Sequence, residues 1–371
     1  MSKRLAHDDG CSPRHLTGPS AAVRAALLIS VAALAACSSS GGSAHVEPHT
    51  PTPTPSPTAT ASPAPSAHVY VADQGSNSIT SYAAATAGTP NQTPIGTISG
   101  SSTGLGAPIS DALDAAGNIY VANTLTVTVY PANPVGTLNE APTATINVGA
   151  IDGGVTPYGV GVDATGKIYV ATPGEIFVFA ANPVGTVTTP IATISGSNTL
   201  LAEIHNFAFD VTGRIYVTDN VRGILVFAPN PSGALNEAPV ANIPRNGTTG
   251  LSYPWGIALD SSGNIYTLDT AHIYEFPPNP VGTVSEAPTA TITGASTGLD
   301  GGNDGMAVDA SGAIYAANDL SNVIAEFAAN PSGTLNEAPV ATIAGSNTGL
   351  NGSRSVAVTG AVYAASVRRR R

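Results

Sequence analysis

One tyrosine sets the terms for the whole chain. It recurs at positions 70, 120, 169, 216, 266, 315 and 363, and the text around it recurs with it. Asp114-Ala-Ala-Gly117-Asn-Ile-Tyr120, Asp163-Ala-Thr-Gly166-Lys-Ile-Tyr169 and Asp260-Ser-Ser-Gly263-Asn-Ile-Tyr266 are three copies of one phrase. A second phrase, Asn133-Pro-Val-Gly136-Thr-Leu-Asn-Glu140-Ala-Pro142, returns near 230, 279 and 330. A period of about 49 residues with short apolar runs means stacked supersecondary units, none of which buries its apolar surface alone.

Each unit reads as four short strands. Strand A is the run before the turn (Gly256-Ile257-Ala258-Leu259) and strand B is Ile-Tyr-Val-Ala. Strand C ends in an aromatic residue (Ile224 to Phe227), and strand D is Ala-Thr-Ile (Ala290 to Ile292). Asp-x-x-Gly between A and B is a tight hairpin: the Asp side chain bonds the turn, and Gly takes the left-handed position without steric cost. Four strands in 40–50 residues describe a propeller blade, so the fold expected is an all-β propeller. Six A, six C and six D strands pair with seven B strands. Six blades close if Ser355-Val-Ala-Val358 completes the blade begun at residue 68, which leaves no open edge. The extra B-like run Ala361–Ala365 keeps a seven-blade ring as the alternative.

Residues 1–36 are organised differently. Four basic side chains (Lys3, Arg4, Arg14, Arg24) precede the apolar run from Ala25 to Ala36. Twelve helical residues reach only about 18 Å, short of a hydrocarbon core of about 30 Å, so the run reads as a secretory signal and not a span. Leu34-Ala35-Ala36-Cys37 resembles the bacterial lipobox. The resemblance implies cleavage before Cys37, acylation of that cysteine, and an exported domain held on a cell membrane or outer membrane by its lipid. Residues 37–66 contain Thr50-Pro-Thr-Pro-Thr-Pro-Ser-Pro57, which cannot form a core and favours extended polyproline II. They read as a disordered stalk, the propeller as 67–367, and 368–371 as a basic tail.

Charge narrows the partners. The whole chain has a net charge of −11, and residues 67–367 carry 21 acidic against five basic side chains. Such a surface repels phosphate backbones, so nucleic acid is not an expected partner. The only cysteines are Cys11 and Cys37, so the propeller has no disulfide and no thiol for a structural zinc.

Pro254-Trp-Gly-Ile-Ala-Leu-Asp260-Ser-Ser-Gly263-Asn-Ile-Tyr266-Thr-Leu-Asp269 resembles an NHL repeat, as does Pro157 to Val170, and the resemblance covers about residues 67–365. It implies a propeller of NHL type. The sequence departs from that family in lacking its Asn-x-Arg element and a basic face, so RNA binding is not implied here.

Repetition also sorts surfaces. The A–B turns and C–D loops are near-copies, which marks them as structural; Glu140, Glu237, Glu286 and Glu337 are read as surface residues of that copied loop. The opposite ends of the A strands differ. Five residues before the turn, successive units carry Ile109, Tyr158, His205, Trp255, Asp304 and Arg354. Asp73, Asn123, Asp219, Asp269 and Asn318 are expected beside them on the B–C side. Aromatic and polar groups around a concave mouth suit a small ligand or sugar. Tyr158, His205, Trp255, Asp304 and Arg354 are therefore the expected binding residues, for a glycan, peptide or protein partner of a monomeric module. Two chemical readings stand beside it. Asp300-Gly-Gly-Asn303-Asp304 is oxygen-rich enough for calcium, though without EF-hand spacing, and a metal-assisted lactonase- or lyase-like enzyme using the same central funnel, with His205 and Asp304 for acid–base work, is the alternative. A purely structural envelope protein is the third.

Overall fold

The computed structural model describes residues 68–84, 88, 91–302 and 305–360. Cys37, the stalk, Asp304, the run Ala361–Ala365 and the terminal arginines lie outside them.

The described chain folds as six sheets, each built on the antiparallel A, B, C and D strands anticipated above. The Asp-x-x-Gly hairpins form as their chemistry requires. Asp114 Oδ1 accepts from the Ala116 and Asn118 N–H groups at 2.9 Å, and Gly117 sits at φ 84°. The other oxygen is near the repeat tyrosine: Tyr169 Oη lies 3.0 Å from Asp163 Oδ2 and Tyr216 Oη 3.2 Å from Asp210 Oδ2. One aspartate thus caps the turn and satisfies a buried hydroxyl of its own blade.

The first sheet shows how the ring closes. Its strand order is Ser353–Val358, His68–Asp73, Ser78–Ala83, Gly96–Ser99. The C-terminal strand supplies the innermost position of the blade that the N-terminal strand begins, pairing Tyr70 with Ala357. His68 N–H donates to Thr359 Oγ1 at 2.7 Å across 291 residues. Six blades, not seven, complete the described ring.

No single core fills the centre. Six apolar clusters each lie between neighbouring blades, as where Tyr70, Ile79 and Ile98 of the first blade pack on Ile119, Val121 and Tyr130 of the second. Side chains of a strand alternate between the two faces of its sheet, so every blade is apolar on both faces and each B strand reads as a continuous apolar run. Tyr120, Tyr169, Tyr216, Tyr266 and Tyr315 are all buried.

The C–D loops hold a fifth strand. Gly136–Leu138, from the second blade, pairs in parallel with Gly96–Ser99 of the first, and Gly185–Val187, Gly233–Leu235, Gly282–Thr283 and Gly333–Leu335 repeat the arrangement. Gly88 bridges to Ala341 and closes the circuit. Each blade's outer edge is therefore covered by its successor. Beside the strand, Asn139, Asn236, Asn336 and Asn91 accept through Oδ1 from the Ser102, Asn198, Ser296 and Asn347 N–H groups at 2.8–2.9 Å. At Gly196 a side chain would meet the Asn236 amide at 2.6 Å, on a backbone already at φ 105°. That is why glycine stands there and at the equivalent Gly100, Gly294 and Gly345, each facing its own asparagine.

Candidate functional site: a funnel at one end of the ring

The six A strands are the inner edges of their sheets and run in the same sense around the axis. Their N-terminal ends converge. Ile109, Tyr158, His205, Trp255 and Arg354 meet there with Gln74, Ser110, Asn206 and Gly305 around a cavity of about 210 Å³. Five of the six positions read from the repeat thus face one space. The sixth, Asp304, is not among the described residues, although its neighbour Gly305 lines the wall.

Local backbone irregularity aims these side chains. In three blades the register slips at this level: between Ile204 and Phe207, between Pro254 and Gly256, and opposite Ala72/Asp73 on the strand carrying Arg354. A bulge bends its strand and redirects a side chain, and here the slips fall at His205, Trp255 and Arg354. Gly159 makes room on the remaining side, since a Cβ there would come within 1.7 Å of the His205 carbonyl oxygen.

The aromatic groups form one contiguous row. The ring centroids of Tyr158 and His205 are 5.4 Å apart and those of His205 and Trp255 3.8 Å, all tilted. Thr218 fixes the backbone beneath them: its Oγ1 donates to the Trp255 carbonyl at 2.8 Å and accepts from the Asn206 N–H at 3.0 Å. His205 is buried, with Nε2 at 2.8 Å from Asn220 Nδ2. With the amide donating, Nε2 accepts and the ring proton sits on Nδ1. Burial pushes the imidazole pKa down to about 4, so it is neutral at physiological pH. Among the described residues no Asp or Glu is hydrogen-bonded to it. The guanidinium of Arg354 pairs with Asp319 at 2.7 Å and donates to Gln74 Oε1 at 3.1 Å. Nearby, Arg245 lies over the Tyr253 ring at 4.6 Å and donates to the Asn220 carbonyl. The wall therefore offers aromatic faces, a neutral imidazole and a guanidinium with its charge already countered.

The residues expected beside this ring do something else. Asp73, Asn123, Asp219, Asp269 and Asn318 are buried and tie the D–A loops to the ends of the B strands. Asp219 Oδ2 accepts from Ala202 N–H at 2.7 Å, Asp269 Oδ1 from Tyr253 N–H at 2.9 Å and Asn123 Oδ1 from Gly106 N–H at 3.1 Å. A short acceptor at a strand end satisfies loop donors that would otherwise be orphaned, so none of the five lines the funnel. The glycine-rich loop is likewise bound internally: Asp300 accepts from Gly302 N–H at 3.0 Å and from the Ser321 backbone and hydroxyl at 2.8 Å. Among the described residues no group of three or more His, Cys, Asp or Glu is placed to hold a metal. The copied Glu140, Glu237, Glu286 and Glu337 are exposed.

Below the funnel the A strands enclose a narrower channel of about 140 Å³, walled by Val160, Phe207, Ile257, Met306 and Val356. At the position equivalent to these five the second blade has Asp111, which no sequence repeat singled out. It is buried, and neither carboxylate oxygen has a hydrogen-bond partner. The Ser355 hydroxyl accepts from the Asp111 N–H at 3.2 Å, and its nearness to the carboxyl offsets only part of the cost of burial. Desolvation first, and the charge of Asp73 after it, push the Asp111 pKa up to about 7.

Six four-stranded blades around a channel define the class: the described chain is a six-bladed β-propeller. No family model and no curated protein sequence matches it. Among solved structures it is similar to a protein of unknown function from Bacteroides caccae, with TM-score 0.54 and 12% identity over 79% of this chain and 98% of that one. It is also similar to a chain of a nidogen/laminin complex, with TM-score 0.51 and 14% identity over 80% and 99%. At such identities the likeness concerns the fold.

Proposed function

We propose that this protein is an exported, lipid-anchored propeller of NHL-like repeats that acts as a non-catalytic binding module, taking a glycan, peptide or protein segment in its funnel. The observation that carries the reading is the row of Tyr158, His205 and Trp255 rings on the wall of one cavity, in units that otherwise repeat one another. Concave aromatic surface with few fixed polar groups binds by apolar contact and stacking, and chemistry needs more than a neutral imidazole held by an amide. A neighbour drawn from a protein complex is in keeping with this reading.

Two experiments test it. A thermal-unfolding screen of the full chain against cell-wall sugars and peptides should yield a ligand whose stabilisation disappears in Trp255→Ala and in Tyr158→Ala, with the unliganded Tm of each variant little changed. Stabilisation retained in both variants refutes the funnel as the site. Labelling cells with a fatty-acid analogue should mark the protein and fail to mark Cys37→Ser; equal labelling refutes the anchor.

A further inference from the structure

We propose that the ligand of the funnel is an uncharged glycan, built of neutral or N-acylated pyranosides and recognised as a hydrogen-bond acceptor; the inference rests on the funnel being the binding site and says what enters it. Its ground is the balance of donors and acceptors on the wall. Asn206 and Gln74 both line the cavity, half-buried, and the fold fixes which way each amide is turned. Asn206 Oδ1 accepts from the Phe207 N–H at 2.9 Å. Gln74 Oε1 accepts from Arg354 Nε at 3.1 Å, and a guanidinium can only donate. In both side chains the oxygen is engaged, and the NH2 group makes no hydrogen bond among the described residues. Ser110 Oγ likewise receives the Val160 N–H at 3.3 Å and keeps its own proton to give. The Trp255 indole N–H, a donor only, has no partner among the described residues either.

Charge removes the ionic alternatives. Among the described residues no Asp or Glu lines the cavity, so nothing receives an ammonium group. Arg354 is paired with Asp319 at 2.7 Å. The 21 acidic against five basic side chains of residues 67–367 repel an anion at longer range. Among uncharged ligands, a peptide brings about one N–H for every C=O, and on this wall those N–H groups meet few acceptors. A sugar hydroxyl carries two lone pairs and one proton that turns to suit, while ring, glycosidic and acyl oxygens only accept. The C–H face of a pyranose also needs an apolar platform, and the half-buried rings of Tyr158 and Trp255 supply one.

Calorimetric titration of the full chain compares cellotriose, tri-N-acetylchitotriose, chitotriose below the pKa of its free amines, and N-acetyl-trialanine amide. One or both of the uncharged trisaccharides are expected to bind, with chitotriose and the peptide weaker by about ten-fold or more. Asn206→Asp and Gln74→Glu keep the engaged oxygen and exchange the NH2 donors for a second acceptor. Each is expected to weaken the bound trisaccharide about five-fold or more, with the Tm of the variant showing that it is folded. Binding of chitotriose or the peptide as tight as that of the uncharged trisaccharides overturns the inference, as does unchanged affinity in both amide variants, or no binding of either uncharged trisaccharide. Where such binding is still lost in Trp255→Ala, the funnel reading survives that failure. Trisaccharide binding retained in Trp255→Ala and Tyr158→Ala overturns the funnel reading and the inference with it.

Discussion

Replacing Asp111 by asparagine should stabilise the propeller, and more so as pH rises. The carboxyl titrates at 3.8 in an unfolded chain and at about 7 in the fold. A raised carboxyl pKa means the folded state prefers the proton. The site costs nothing below about pH 4, and stability is lost as pH climbs through 7. Linkage puts the growth of that penalty at roughly 2.5 kcal/mol between pH 5 and pH 8. Asp73, pushed up to about 6 by burial, acts in the same direction and is relieved of a neighbouring charge in the variant. His205 acts in the opposite one: its pKa is lowered to about 4, so stability falls as pH drops from 6.5 toward 4. The parent curve alone therefore shows little, and the informative quantity is variant minus parent. Urea unfolding at low ionic strength and low cation concentration, at pH 5, 6, 7 and 8, measures it. The difference should widen steadily in favour of Asp111→Asn. A difference that stays constant within about 0.5 kcal/mol across that range refutes the claim that this carboxylate is buried without a partner.

Other perturbations follow from the same geometry. Gly159→Ala should cost roughly 3 kcal/mol or more of stability, because its Cβ would overlap the His205 carbonyl; a Tm within about 2 °C of the parent would contradict the close approach. Asn236→Ala removes the Oδ1 that receives the Asn198 N–H and should cost about 1 kcal/mol, read by urea denaturation. The His205 imidazole resonances should stay unshifted between pH 8 and pH 5 in an NMR titration, while an exposed histidine moves near 6.5.

Blade count, the strand assignments and the Asp-Gly hairpins were legible because the repeat writes each of them six times, and an error in one copy is corrected by the others. The funnel was legible for the inverse reason: variation at one register among near-copies marks a surface with its own purpose. What stayed hidden lacks either signal. The fifth strand is two or three residues such as Gly136-Thr-Leu138, largely exposed, so no alternation of apolar and polar side chains announces it. Its partner also lies in the preceding unit, and periodicity within a unit cannot show pairing between units. Asp219 and Asp269 were placed on the funnel because strand ends were known but side-chain direction was not. Asp111 stands in an otherwise ordinary A strand, and only the channel geometry makes a polar residue there exceptional.

The seam of the ring has a consequence for how the protein comes into being. His68–Asp73 is the first strand of the described chain, yet its inner partner, Ser353–Val358, is the last. Pairings so distant in sequence form late, since the loop must close before the contact returns any energy. During synthesis five blades can assemble as their strands arrive, but the first must wait with an edge unpaired. That edge is a ready template for a strand of another molecule. The interval between the first strand's emergence and the last one's arrival is then the period in which this protein is most exposed to aggregation, and the last strand of the described residues is what ends it.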